Sequence, residues 1–184
     1  MGRRLFYWEL AGFLLTGALG TLLHFVYEWS GGSTLAAAFS AVNESTWEHM
    51  KLLFFPLFLF SVVQVCAMGR NYPNFLAVRA LSTLTGLALI PVLFYTYSGV
   101  LGHHIAWVNI AVFYLADLGA FLLDGALLRR GRLSSAWHQL LGLLALWGLA
   151  FCFVWCTFHP GPLALWRDPT TALAGVTEFR NVTG

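Results

Sequence analysis

Five apolar stretches of about 20 residues each dominate the sequence and limit the chain to an all-α, membrane-embedded fold. They cover about residues 5–26, 50–68, 75–97, 105–128 and 136–158. Only short segments separate them, so we predict a single membrane domain over residues 1–184. The expected architecture is a bundle of five transmembrane helices followed by an extended external tail over residues 159–184.

The composition supports this interpretation and excludes other classes of protein. Charged residues make up 10% of the chain and hydrophobic residues 59%, whereas soluble domains carry about 25% charged residues. The mean hydropathy is +0.72. Basic residues are scattered rather than gathered on one face, so a nucleic-acid-binding role is excluded. The first stretch contains Glu9 and lacks a small-residue cleavage site, which favours a retained helix over a cleaved signal peptide.

The distribution of Lys and Arg predicts the orientation of the bundle. One end of the five-span arrangement holds seven basic residues: Arg3, Arg4, Arg70, Arg79, Arg129, Arg130 and Arg132. The other end holds three: Lys51, Arg167 and Arg180. Because basic residues are retained on the cytoplasmic side, we predict a multi-pass protein of the cell (plasma) membrane. Its amino terminus would be cytoplasmic and its carboxyl terminus extracytoplasmic.

Polar side chains gather at the predicted outer end, on either side of the first external loop. His24 and Glu28 are four residues apart and therefore share one helix face. Glu44 and Glu48 have the same spacing, and His49 follows directly. Since one loop joins the two segments, we expect these five side chains to meet at the mouth of the bundle.

Imidazole and carboxylate groups are the ligands that zinc and other divalent transition metals prefer. We therefore predict His24, Glu28 and His49 as candidate metal ligands, with zinc or another divalent metal as the cofactor. A bound metal would lower the pKa of a water ligand to about 7. The remaining carboxylates, Glu44 and Glu48, are the candidate catalytic groups for acid–base chemistry.

The same segment also fits a purely structural interpretation. Ser45 and Glu48 match a capping box, in which the serine accepts a hydrogen bond from the amide of residue 48 and the glutamate reaches back. Acidic residues at a helix start also complement its dipole. Lys51 would then extend to the membrane surface. This alternative explains Ser45 and Glu48 but needs neither Glu44 nor His49.

Ionisable residues also occur near the predicted inner end of the bundle. Arg79 and Asp124 lie at similar depth on successive antiparallel helices, so we predict a structural ion pair, with Glu9 or His138 nearby. Asp117 lies two helical turns from Asp124, near mid-membrane, without an obvious partner. It therefore fits a proton or ion path.

Several segments of the chain resemble a known family. The stretches "LLHFVYEWSG", "VNESTWEHMKLLFFP", "YTYSGVLG" and "WRDPTT" occur in this order and span nearly the whole chain. They are similar to a family of small bacterial and archaeal multi-pass membrane proteins described only as a domain of unknown function, and an "NESxWEHxK" segment is its most specific part. The resemblance implies a fold and a location but no activity.

Three functions remain open from the sequence. The leading hypothesis is a metal-dependent hydrolase or transferase that acts on a lipid or envelope substrate through the outer His/Glu pocket. The alternative is a small transporter or channel subunit. It would require a homo-oligomer, because five spans are few for a lone transporter. A non-catalytic membrane assembly factor is the third. In each case the surrounding partner is the lipid bilayer.

Overall fold

The computed structural model describes residues 2–176, which form a bundle of α-helices. The six helices are α1 (Arg3–Trp29), α2 (Thr34–Phe39), α3 (Thr46–Met68), α4 (Phe75–Leu101), α5 (Ala106–Leu128) and α6 (Ala136–Phe158). Short 3₁₀ turns follow α3 (Gly69–Asn71) and α6 (Ala164–Trp166). Within residues 2–176 there is no β-strand, and only an isolated bridge joins Arg167 to Ala174.

Five of these helices are long and apolar enough to cross a membrane, which confirms the predicted all-α fold with five candidate spans; the orientation of the termini stays a prediction. The observed α1, α3 and α4 extend three or four residues beyond the apolar stretches. The difference has a physical reason: apolarity indicates where lipid begins, whereas helical hydrogen bonding continues into the headgroup region. Residues 177–184 of the predicted tail, including Arg180, lie outside the described residues.

Helix α1 packs closely against α3 and α5 through a face of glycines. A Cβ atom on Gly12 would lie 2.3 Å from the ring of Phe121, and one on Gly20 would lie 2.8 Å from the carbonyl oxygen of Leu52. Small residues permit this approach of two backbones in a membrane. Even a methyl group at these positions would therefore force the helices apart.

Two apolar clusters fill the two halves of the bundle. The inner one is formed where the ends of α1, α3, α4 and α5 meet, by Leu5, Met68, Phe75, Val78 and Leu128. The outer one lies between α3, α4, α5 and α6 and includes Leu53, Phe54, Leu87, Phe113 and Phe153. The two clusters pack the long helices against one another and thereby fix the positions of the polar side chains that lie between the clusters.

The outer end of the bundle is covered by α2 and by the tail after α6. Helix α2 forms in the loop between α1 and α3, and it packs against α6. In the tail, the ring of Trp166 lies 5.2 Å from that of Trp47. Further along, Val176 packs with Ala37 and Val42. The tail therefore folds back over the mouth of the bundle.

Candidate functional site

A carboxylate flanked by two imidazoles lies at the outer end of the bundle. Oε1 of Glu44 is 3.3 Å from Nε2 of His24, and Oε2 of Glu44 is 3.6 Å from Nε2 of His49. The two imidazole rings are 5.6 Å apart, centroid to centroid. Of the five side chains predicted to meet here, His24, Glu44 and His49 are brought together.

Local structure explains how each of the three side chains is held. His24 lies near the end of α1, and Glu44 belongs to the loop that precedes α3. Helix α3 begins at Ser45, whose hydroxyl accepts a hydrogen bond of 3.3 Å from the amide of Glu48. His49 follows in the first turns of α3, and its Nδ1 lies 3.0 Å from the carbonyl oxygen of Ser45.

The hydrogen bonds define which imidazole nitrogens carry protons. A carbonyl oxygen only accepts, so Nδ1 of His49 donates to Ser45. An ionised carboxylate also only accepts, so Nε2 of His24 donates to Glu44. Within residues 2–176, Nδ1 of His24 makes no hydrogen bond to protein. His24 therefore has one nitrogen fixed by a carboxylate and one nitrogen available to another molecule.

Glu44 is ionised at neutral pH because its neighbours stabilise the carboxylate. The hydrogen bond from His24 lowers the pKa of the Glu44 carboxyl below its usual range; partial burial opposes this effect, and the charges of His49 and His24 reinforce it. Its position just before the start of α3 adds the favourable end of a helix dipole. In its chemistry, the His24–Glu44 pair resembles a histidine base that is oriented by a carboxylate.

These three side chains line a cavity of about 460 Å³ between α1, α3 and α5. Most of the wall is apolar and aromatic, contributed by Phe25, Leu52, Ala106, Ile110, Phe113 and Tyr114. The polar wall comprises His24, Glu44, His49, His104, Asn109, Thr21 and Thr170. A cavity with an apolar body and a few polar groups is the usual form of a small-molecule site.

The tail contributes one side of the cavity through a turn centred on Asp168. Oδ1 of Asp168 accepts hydrogen bonds from the amides of Thr170 and Thr171, at 2.6 and 3.2 Å, and Oδ2 accepts one of 3.1 Å from the amide of Glu44. Burial alone would raise the pKa of the Asp168 carboxyl, but these hydrogen bonds outweigh it and lower the pKa below its usual range. Pro169 and Thr170 are thereby placed against the cavity.

Glu28 and Glu48 do not take part in this cluster. Glu28 is exposed at the end of α1 and does not line the cavity. Glu48 is only 2% exposed, and its Oε2 lies 2.5 Å from Nζ of Lys51 and accepts a 3.1 Å hydrogen bond from the amide of Val42. The capping box is therefore incomplete, because the Glu48 side chain serves other partners than the amide of Ser45.

Lys51 is buried rather than extended to the membrane surface. Its ammonium group donates to the carbonyl oxygen of Ala37 at 2.8 Å and to the hydroxyl of Thr157 at 2.9 Å, besides the ion pair with Glu48. All three N–H groups are thus used. Together they join α2, α3 and α6, which makes the Glu48–Lys51 pair a structural link beneath the cavity mouth.

The predicted metal site is not supported. Among residues 2–176, no group of three or more His, Cys, Asp or Glu side chains is arranged to hold a metal ion. Nε2 of His24 and Nε2 of His49 lie against different oxygens of the Glu44 carboxylate, and the Nε2 of His24 that donates to Glu44 has no lone pair for a metal. Glu28, the third predicted ligand, lies outside the cavity.

The family of unknown function DUF6512 matches residues 4–176. The chain belongs to this family. Neither the curated proteins nor the solved structures contain a match. The matched region contains all six helices, the three side chains of the cluster and the Asp168 turn, so the complete cavity lies within the DUF6512 portion of the chain.

The inner end of this DUF6512 chain contains a second buried polar network. Nη2 of Arg79 lies 3.1 Å from Oδ2 of Asp124 and also donates to the side-chain oxygen of Gln64. Gln64 in turn donates to Oε1 of Glu9 at 2.8 Å, and Ser82 donates to Oδ1 of Asp124 at 2.8 Å. The network joins α1, α3, α4 and α5 and lies far from the outer cavity.

Three features of the site escaped the sequence analysis. Asp168 has a local signal, since Asp-Pro-Thr-Thr is typical of a turn in which the aspartate accepts the following amides. Thr21 and Tyr114 have no local signal in the sequence, because the 3.0 Å contact between their hydroxyls joins residues 93 positions apart. The burial of Lys51 likewise depends on Ala37 and Thr157, which are remote in sequence or on other helices.

Proposed function

We propose that the chain binds an amphiphilic, lipid-like molecule in the outer cavity and that His24 and Glu44 perform acid–base chemistry on its polar group. The observation that carries this proposal is the position of the His24–Glu44–His49 cluster on the wall of a mostly apolar cavity. The corresponding activity is that of a membrane-embedded hydrolase or transferase.

The shape and chemistry of the cavity support an amphiphile. Its volume of about 460 Å³ lies within the range of about 300–1,000 Å³ found for small-molecule sites. Phe25, Ile110 and Phe113 offer an apolar surface to an acyl chain, while the imidazoles at the other wall suit a polar headgroup. When His24 or His49 is protonated, it balances the charge of Glu44 and favours an anionic group nearby.

The arrangement of His24 supports acid–base work rather than binding alone. Glu44 fixes the ring through Nε2 and leaves Nδ1 without a protein partner. A histidine so oriented can take a proton from a water or hydroxyl nucleophile and return it to a leaving group. Such catalysis contributes about 10²–10⁴-fold to a reaction rate.

We further propose that the cavity faces the extracytoplasmic side of the cell membrane. Arg3, Arg4, Arg70 and the segment 129–132 lie at the opposite end of the bundle from the cavity. The positive-inside rule then puts the amino terminus in the cytoplasm and the carboxyl terminus outside. The substrate would therefore come from the outer leaflet or the cell envelope.

Binding is tested by blocking the cavity with a matched control. Ala106→Trp introduces an indole into the cavity wall, whereas Ala18→Trp introduces the same group on an exposed position of α1 outside the cavity. In lipid nanodiscs the exposed faces of α1 and α5 meet lipid in every variant, so the readout is crosslinking at Leu52, a buried residue of the cavity wall. A photoreactive phospholipid should crosslink to Leu52 in the wild type and in Ala18→Trp, but not in Ala106→Trp. Equal crosslinking in all three would overturn the proposal.

The chemistry is tested separately with His24→Ala and Glu44→Gln. Both variants should retain crosslinking, and both should lose turnover of an extracted envelope-lipid mixture followed by mass spectrometry, by about 10²-fold or more. Turnover that is unchanged in both variants would remove the acid–base assignment while leaving the binding site intact.

A further inference from the structure

Asp117 is a buried carboxyl in the middle of α5 with no partner. Its relative exposure is 0%, and neither Oδ1 nor Oδ2 makes a hydrogen bond among the described residues. An ionised carboxylate without a counter-charge is costly in an apolar interior. The group must therefore carry a proton or a cation when the bundle is closed.

The helices packed around Asp117 supply no positive charge. On α1, a Cβ atom at Gly17 would lie 3.6 Å from Oδ2 of Asp117. On α4, a Cβ atom at Gly86 would lie 3.2 Å from the carbonyl oxygen of Ala116, the residue before Asp117. The ion pairs of residues 2–176 use other carboxylates, and Arg79 is occupied by Asp124.

Two hydroxyl groups connect Asp117 to the outer cavity. Tyr114 lies one helical turn above Asp117 and lines the cavity, as does Thr21. Their hydroxyl oxygens are 3.0 Å apart, and Thr21 lies 2.8 Å from the carbonyl oxygen of Gly17. Because a carbonyl only accepts, Thr21 donates to Gly17, and Tyr114 therefore donates to Thr21. The two hydroxyls lead to the carbonyl oxygen of Gly17, and a Cβ atom at Gly17 would lie 3.6 Å from Oδ2 of Asp117, so the hydroxyl chain and the Asp117 carboxyl both lie next to this glycine.

We propose that Asp117 is a proton-binding site that exchanges its proton with the outer cavity through Tyr114 and Thr21. A hydronium ion in the cavity gives up the proton and remains as water. Tyr114 and Thr21 pass the proton on when the Thr21 hydroxyl turns from Gly17 to Asp117, and it is held on a carboxyl oxygen of Asp117, so the buried carboxylate becomes a neutral acid. The site gives the protein a protonation step in mid-membrane, separate from the chemistry at His24. It does not depend on the identity of the molecule in the cavity.

A proton fits these surroundings better than a metal cation does. Hard cations such as Mg²⁺ or Ca²⁺ require about six or more oxygen ligands. The hydroxyls of Thr16 and Thr83, on the flanking helices, are also buried without partners. They add uncharged groups and no second carboxylate. A proton needs one oxygen, and a neutral acid can then donate a hydrogen bond to a nearby oxygen.

Infrared spectroscopy of the full chain in lipid nanodiscs tests the protonation state. At neutral pH the wild type should show the carbonyl stretch of a protonated carboxyl that shifts in D₂O. Because Glu9 is a second buried carboxyl, with its Oε2 unpartnered, the comparison is made in a Glu9→Gln background. In that background Asp117→Asn should lose this band, whereas Glu44→Gln, which removes a carboxyl outside the spans, should keep it. A band that is absent from the Glu9→Gln protein, or that persists when Asp117→Asn is added, would overturn the proposal.

Thermal stability provides a second measurement that does not depend on the spectrum. Since a neutral amide replaces a neutral acid, Asp117→Asn should unfold at the same temperature as the wild type at neutral pH. A marked loss of stability in Asp117→Asn would overturn a neutral Asp117. The proposal would also be overturned if the infrared band of the wild type disappeared on addition of sodium chloride at constant pH, because a sodium ion would then occupy Asp117 in place of the proton.

The route is tested by the rate at which the band shifts after transfer to D₂O. Tyr114→Phe and Thr21→Val remove the two hydroxyls and should slow the shift by about tenfold or more, whereas Ala18→Trp should leave it unchanged. A rate that is equal in all four proteins would contradict exchange through the cavity.

Discussion

The backbone amide of Glu44 donates a hydrogen bond of 3.1 Å to Oδ2 of Asp168, 124 residues further along the chain. This bond joins the loop that carries the central carboxylate of the site to the tail that covers it. The same aspartate holds its own turn through Thr170 and Thr171. Asp168 thus fixes the tail to this loop, in addition to the apolar contacts of Trp166 and Val176.

Asp168→Ala should release the tail without unfolding the bundle. It removes three hydrogen bonds from backbone amides to a charged acceptor, each worth about 1.5–3 kcal/mol. Peptides covering residues 159–176 should exchange their amide hydrogens faster, while peptides of α3 to α5 remain protected. Arg167→Ala is the matched control, because its side chain is exposed. Unchanged exchange in Asp168→Ala would show that Trp166 alone holds the tail.

Acid should weaken the outer site through Glu44 and Asp168. Both carboxyls have pKa values below their usual range in the folded protein. Folding therefore favours their ionised forms. The resulting stability is present above the unfolded values, about pH 4, and is lost as the pH falls through the lower folded values.

This pH dependence is measurable by tryptophan fluorescence during thermal unfolding, because Trp47 and Trp166 pack together near the site. Between about pH 5 and pH 3, where carboxyl groups of ordinary pKa titrate, the wild type should lose more thermal stability than Glu44→Gln does. The double variant Glu44→Gln/Asp168→Asn should lose less thermal stability over this range than Glu44→Gln does. Identical pH profiles would contradict the contribution of these carboxylates.

Lys51→Met should strongly destabilise the bundle. The substitution leaves the Glu48 carboxylate buried without its cation, and breaking a buried ion pair in this way costs about 3–5 kcal/mol. The double variant Lys51→Met/Glu48→Gln should recover part of that loss. Arg70→Met, which removes an exposed cation at the other end, serves as the control and should leave the unfolding temperature unchanged. A Lys51→Met protein as stable as the wild type would refute the structural role of the pair.

The proposed orientation is testable with single cysteines. After replacement of Cys66, Cys152 and Cys156 by serine, His103→Cys should react with a membrane-impermeant maleimide in intact cells, and Arg130→Cys should react only after permeabilisation. The reverse pattern would place the cavity on the cytoplasmic side.

The spans could be predicted from sequence because apolarity over 20 residues is a local property of the chain. The convergence of His24 with Glu44 and His49 was also accessible, since one loop joins their helices. The direction in which each side chain points could not be predicted from the sequence. Whether Glu48 points at the cavity or at Lys51 depends on where Thr157 lies, and that contact spans 109 residues.

The metal prediction is not supported, for a related reason. Residue type and spacing indicate which side chains are able to coordinate a metal, but coordination also requires that their lone pairs meet at one point. In this bundle Nε2 of His24 lies 3.3 Å from Glu44, and Glu28 does not line the cavity. Such orientations are set by the packing of α1 against α3 and are not encoded in the local sequence.

The satisfied ammonium group of Lys51 has a consequence for biogenesis. Besides Glu48 on its own helix, its acceptors lie on α2, made shortly before it, and on α6, the last of the described spans in chain order. Until α6 arrives, the ammonium group lacks the Thr157 hydroxyl as its third acceptor, so α3 has to enter the lipid with one N–H group unsatisfied or remain near the surface. We therefore expect insertion to finish in two stages, and a chain truncated before α6 should leave α3 extractable by alkaline carbonate, whereas the complete chain resists extraction.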